Sequence, residues 1–290
     1  MNRIGGIVVL VLGLSVAAAR DEGKDKSASP AEQYKALVKE FYEAANLHSK
    51  AATDEERNQA VARVDRLSTR LLELAEKNPA DPIAIDALVE VVNDEIWLEN
   101  NTTHPGRGKD SPQERAIALL LRDHSRSDKL GEACRRMSYG FSKDCETFLR
   151  TVLDRNPHKD VQGLACLRLA QFLNTRLHRL DLLKEQPEMV RRYEGLFGKD
   201  YLEALRRQDR DKAGKEAEAF FERAAAQYGD VKVPYGSTVG ESAKVELYVI
   251  RHLSVGKQAP EIEGGDQDGK RFKLSDYRGK VVLLYFWSEY

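Results

Sequence analysis

Three segments of this chain open with the same local phrase. Ser29-Pro30-Ala31-Glu32, Thr53-Asp54-Glu55-Glu56 and Ser111-Pro112-Gln113-Glu114 each set a hydroxyl three residues ahead of a carboxylate. In that spacing the hydroxyl accepts the third helical N–H and the carboxylate reaches back to the first free one, so a helix starts there. Two of the three carry Pro at the first helical position, where its missing N–H costs nothing. Apolar residues then recur at helical spacing, as in Leu37, Phe41, Ala44 and Ala45, or Val61, Val64, Leu67, Leu71 and Leu74. One stripe per helix must be buried against another helix, so residues 30–253 are expected to form a mainly α domain.

Stop signals set its rhythm. Asn78-Pro79 and Asn156-Pro157 end two helices and Tyr228-Gly229-Asp230 a third, because Pro cannot continue a helix and restricts the residue before it. The two Asn-Pro pairs lie 78 residues apart, two units of 39, within the period range of helical-hairpin repeats. Phe220-Phe221-Glu222-Arg223-Ala224-Ala225-Ala226-Gln227-Tyr228 resembles the second helix of a tetratricopeptide unit, although the W-x-x-L-G-x-x-Y pattern is absent. The expectation is a degenerate, tetratricopeptide-like array of helical hairpins. Loops at residues 100–110 and 231–240, rich in Pro and Gly, interrupt it. A last helix over 241–253 closes it.

The two ends differ from this body. Arg3 precedes an apolar stretch over residues 4–16, and Ala17-Ala18-Ala19 offers a small-residue cleavage site. Residues 1–19 therefore read as a secretory signal peptide and 20–29 as a flexible leader. The protein is expected to be periplasmic or otherwise exported, with membrane contact only through an uncleaved signal anchor. With 46 basic and 47 acidic residues and a net charge of −1, bulk electrostatics favours neither nucleic acid nor an anionic membrane.

At the C-terminal end, Asp268-Gly269 marks a tight hairpin turn. Residues 281–287 form an unbroken apolar run rich in β-branched and aromatic side chains, as in a strand covered on both faces. Leaving that run wet forfeits on the order of 10 kcal/mol as an upper bound. Gly256-Lys257-Gln258-Ala259-Pro260, Asp268-Gly269-Lys270, Leu274-Ser275-Asp276-Tyr277-Arg278-Gly279-Lys280 and Phe286-Trp287-Ser288-Glu289-Tyr290 follow in order. Together they resemble the opening of a thioredoxin-like domain of the periplasmic TlpA/ResA-type thiol-disulfide oxidoreductases and the AhpC/TSA redoxins. Residues 254–290 are then expected to supply its first β-hairpin and first core strand, the N-terminal part of an incomplete domain.

The resemblance implies an exported thiol-disulfide oxidoreductase with antioxidant-type redox chemistry. Its nucleophile is expected immediately after Tyr290, where a C-x-x-C would follow, so no catalytic residue lies within the chain. Phe286, Trp287 and Tyr290 flank that position; the Phe-Trp pair favours the reductase branch over a peroxiredoxin-like peroxidase. A misread selenocysteine codon, an assembly edge and a genuine stop all fit the end at Tyr290. The implied partner is a protein disulfide or a redox protein. The rival reading is a non-catalytic helical-repeat interaction module whose terminal strand adds to a partner's sheet.

Other candidate chemistry has plain readings. Cys134, Cys145 and Cys166 lack C-x-x-C spacing and read as small buried residues; if one bridge forms, Cys134 to Cys145 is the expected pair. Gly106-Arg107-Gly108-Lys109-Asp110-Ser111 departs from phosphate-loop spacing. Six scattered histidines give no metal-ligand spacing, so neither metal nor cofactor is expected. Tyr34, Phe41 and Tyr42 read as helix core and rim, and Asn101-Thr102-Thr103 matches a glycosylation sequon.

Overall fold

The computed structural model describes residues 28–101, 111–234, 236–265 and 268–285. The helices begin where the hydroxyl caps stand. Ser29 and Thr53 form reciprocal capping boxes with Glu32 and Glu56 and open α1 (Pro30–Lys50) and α2 (Asp54–Lys77). Ser111 Oγ accepts from the Glu114 N–H and opens α4 (Pro112–Asp123). Between them runs α3 (Ile83–Asn101). Asn78 and Asn156 terminate α2 and α6 (Lys143–Arg155), and Tyr228 terminates α10 (Arg210–Gln227).

α1, α2 and α3 pack in sequence, joined by connections of a few residues as in antiparallel helical hairpins. α4 lies on α3 and α6, and α5 (Gly131–Met137) touches α3, α6 and α7 (Lys159–Glu185). α7 is the central column. It meets α5, α6, α10 and α11 (Val239–Tyr248), and buries Val161, Ala165, Leu169, Phe172 and Leu173. A helix apolar on several faces belongs in the interior. Gly163 permits a close approach, since a Cβ there would stand 2.9 Å from Tyr228 Cβ and 3.1 Å from Val231 Cγ2.

A second, smaller core lies beside the first. α8 (Pro187–Phe197) and α9 (Lys199–Arg206) are divided by Gly198 at φ +83°, and they fold back over the C-terminal half of α7. Phe141 is fully buried there among Leu180, Leu183, Leu202 and Leu205. Its ring meets those of Tyr193, Phe197 and Tyr201 at centroid distances of 5.2, 4.9 and 6.2 Å.

The segment expected as a loop over 231–240 is more ordered than that. Val231 accepts from the Val239 N–H at 2.8 Å, and Lys232 bridges Thr238. Thr238 caps α11 through a reciprocal capping box with Glu241, like those at Ser29 and Thr53. The last helix therefore starts at Val239, two residues ahead of the expected position, and runs into a π-helical turn, Val249–Leu253. No helix among the described residues is long and apolar enough to cross a membrane. The expected signal peptide and nearly all of the leader, residues 1–27, lie outside the described residues, as does the glycine-rich loop 102–110.

Glu90 on α3 is 7% exposed. Burial pushes its carboxyl above the ordinary range, against the opposing Asn93 hydrogen bond and Arg136 charge. A raised folded-state value means the fold prefers the protonated acid, so the carboxylate costs stability once pH rises through its unfolded value. Glu90→Gln keeps the bond from Asn93 Nδ2, 3.0 Å in the wild type. It is expected to raise the melting temperature at pH 7, with the gain fading towards pH 4, as checked by calorimetry across that window.

Candidate functional site

The C-terminal segment carries three glycines in the left-handed region, Gly256, Gly269 and Gly279, at φ +84°, +77° and +83°. Such values favour glycine, and they mark three changes of chain direction. Gly269 turns the hairpin between β1 (Glu263–Gly265) and β2 (Arg271–Lys273). The strands are antiparallel, with Glu263 opposite Lys273 and Gly264 opposite Phe272. The Lys273 Nζ–Glu263 Oε1 pair closes directly across the register at 2.6 Å.

A 3-10 turn, Leu274–Tyr277, follows and is tied back to the start of the hairpin. The Leu274 N–H donates to the Ile262 carbonyl at 2.9 Å, and the Ser275 N–H to Glu261 Oε1 at 2.9 Å. Asp276 Oδ2 accepts from the Lys273 N–H at 2.9 Å. The rings of Phe272 and Tyr277 meet edge to face at 6.4 Å, and Lys280 Nζ stands 5.7 Å above Tyr277. The expected turn at Asp268-Gly269 and the Leu274-Ser275-Asp276-Tyr277 segment thus form one small unit.

The run expected as a core strand is reached but not paired. Residues 281–285 form no strand, and Val281, Leu283 and Tyr285 stand almost fully in solvent. A strand is defined by its neighbours, and the two-stranded sheet offers it none. Phe286, Trp287 and Tyr290, the expected flanking residues, lie outside the described residues. Among its described residues the unit holds no cysteine.

The three cysteines of the helical body do not supply a nucleophile. Cys134, Cys145 and Cys166 are all buried and no disulfide joins them, so the expected Cys134–Cys145 bridge is not formed. Each sulfur occupies a packed apolar position on a different helix. Burial pushes the Cys134 thiol up to about 12 and the Cys166 thiol up to about 11. Thiol exchange needs the thiolate, so burial holds Cys134 and Cys166 in the unreactive form. Cys166 Sγ donates to the Phe220 carbonyl at 3.5 Å, and Cys145 Sγ accepts from Ser142 Oγ at 3.3 Å. Native protein is expected to take up no thiol reagent over minutes and three equivalents after denaturation; a colorimetric thiol titration checks this.

A charged cluster joins α6, α7 and α10 and was not anticipated from sequence. Arg176, 6% exposed, pairs with Glu146. Glu146 also binds Arg150 at 2.7 Å, which reaches Glu216 at 2.7 Å. The guanidiniums of Arg176 and Arg150 lie over the Phe172 and Phe220 rings at 5.3 and 5.4 Å. Its four charges answer one another, and it serves as a clamp between helices. Among the described residues, no group of three or more His, Cys, Asp or Glu could hold a metal ion.

The fold and this segment define a class: a helical array that carries, at its C-terminal end, the opening hairpin of a thioredoxin-like redoxin domain. The comparison with protein families adds the particular match, in which residues 255–290 fit the AhpC/TSA family. No curated protein and no solved structure matches the chain. The family match begins two residues after the π-turn ends at Leu253.

Proposed function

We propose that this protein is an exported thiol-disulfide oxidoreductase of the thioredoxin-like type, whose catalytic cysteine or selenocysteine follows Tyr290 in a continued chain. The observation that carries the reading is the AhpC/TSA match over residues 255–290. The hairpin and 3-10 turn supply the stiff start that such a domain needs before its first core strand. The run over 281–285, exposed and unpaired here, is the strand that later parallel partners would cover. The Phe286-Trp287 pair supports the reductase subtype over a peroxiredoxin-like peroxidase. On this reading a protein disulfide or redox partner is the substrate, and the helical array binds a protein.

The test is insulin reduction by the 290-residue chain and by a chain continued through its downstream reading frame. Activity confined to the continued chain is expected. Inactivity of both would sink the enzyme reading, and activity of the short chain would implicate Cys134, Cys145 or Cys166. One observation favours the second reading, a non-catalytic interaction module. The outward apolar side chains of 281–285 could add to a partner's sheet edge.

A further inference from the structure

α11 has two apolar faces. Val239, Ala243 and Leu247 point inward and are buried against α10 and α7. On the other side Val245, Tyr248, Val249, His252 and Leu253 recur at i, i+3, i+4, i+7 and i+8, continuing across the π-turn. All five are exposed, Val245 by 64% and Leu253 by 54%. The Tyr248 and His252 rings meet at a tilt along the stripe, with centroids 4.8 Å apart. The terminal helix of a helical array needs a polar outer face to stay soluble, and on α11 and its π-turn this stripe interrupts that face between the exposed Glu241, Lys244 and Arg251. An apolar stripe at this spacing is a packing surface.

The size of the stripe selects what covers it. Five side chains fall well short of the roughly 20–30 residues per side that a free, stable partner needs. A tethered partner needs far less, because a short linker holds it at an effective concentration in the millimolar range. Such a partner is already attached. The AhpC/TSA match starts at Val255, one residue beyond Ser254. The joint is stiff: Ser254 Oγ donates to the Ile250 carbonyl at 3.0 Å, and the Lys257 N–H donates to the Ser254 carbonyl at 3.0 Å. A domain joined this closely stays within reach of α11.

We propose that the outer stripe of α11 and its π-turn is the seat of this chain's own redoxin domain, which docks there and is held in fixed orientation to the helical array. The proposal rests on the redoxin reading of residues 255–290. Docking removes Val245, Val249 and Leu253 from water and makes the two parts unfold together. It also holds the thiol site at a set distance from whatever the helices bind.

The continued chain provides the test, as wild type and as the single variants Val249→Asp and Val245→Lys, with helical content followed by circular dichroism. The wild type is expected to unfold in one calorimetric transition and to resist protease at residues 254–257. Each variant is expected to unfold in two transitions and to be cut there about tenfold faster, with insulin reduction unchanged. Wild-type cleavage and unfolding in both variants, with activity present, would overturn docking alone. An inactive wild type would overturn the redoxin reading and docking with it. Loss of helical content in both variants would assign the stripe to the helical core and overturn the proposal as well.

Discussion

Replacing Arg176 with alanine is expected to lower the unfolding free energy at pH 7 by about 3 kcal/mol, since removing one partner leaves a largely buried opposite charge. Glu146 would keep Arg150 but lose Arg176 from its buried side, and the packing over Phe172 would go too. Burial pushes the Glu146 carboxyl up, yet Arg176 and Arg150 more than offset this and hold it below the ordinary range. A depressed carboxylate contributes stability above its unfolded value and loses it as pH falls through the folded one. The deficit of the variant should therefore be full at pH 7 and shrink below about pH 4. Urea unfolding at both pH values checks it. The double variant Arg176→Met with Glu146→Leu should recover most of the loss, because a packed apolar pair removes the desolvation penalty.

Gly240→Val is expected to cost about 3 kcal/mol, at the upper end for overpacking. A Cβ at Gly240 would stand 2.9 Å from both the Cα and the carbonyl oxygen of Gly229, and one at Gly229 would stand 2.6 Å from the Ala225 carbonyl oxygen. Those neighbours are backbone and cannot rotate away. The two glycines let the end of α10 and the start of α11 touch, with the Gly240 N–H donating to the Gly229 carbonyl at 3.3 Å. Gly214→Ala on α10 is the control of opposite sign. Nothing lies within 4 Å of a Cβ there, so alanine should stabilise by about 0.5–1 kcal/mol. Thermal and urea unfolding of the two variants side by side would separate steric closeness from chain flexibility.

Legibility followed range. Ser29, Thr53 and Ser111 announce helix starts, and Asn78 and Asn156 announce ends, through groups a few residues apart; all five bound the helices they mark, Ser111 through the hydroxyl half of its box alone. Thr238-Val239-Gly240-Glu241 carries the same phrase, but Pro234, Gly236 and Gly240 around it read as loop composition and hid it. The sequence pattern offered no view of Phe141 in its own small core or of Arg176 against Glu146, which is 30 residues away. Those depend on how α7 to α9 fold over one another. In the candidate site, the turn at Gly269 was local and readable; the tie at Asp276 is equally local but was found only in the structure. A strand over 281–287 is a statement about neighbours, so the apolar run alone could not establish it.

The π-turn at Val249–Leu253 acts as a steering element. An α-helix advances its heading by about 100° per residue, and a π-turn amounts to one residue inserted into that count. Deleting a single residue there is expected to restore regular winding and swing everything downstream around the axis of α11 by more than a quarter turn, and to shift Ile250, which packs against the helical core. Insertions or deletions at this point are thus expected to redirect the bearing of the C-terminal segment relative to α11.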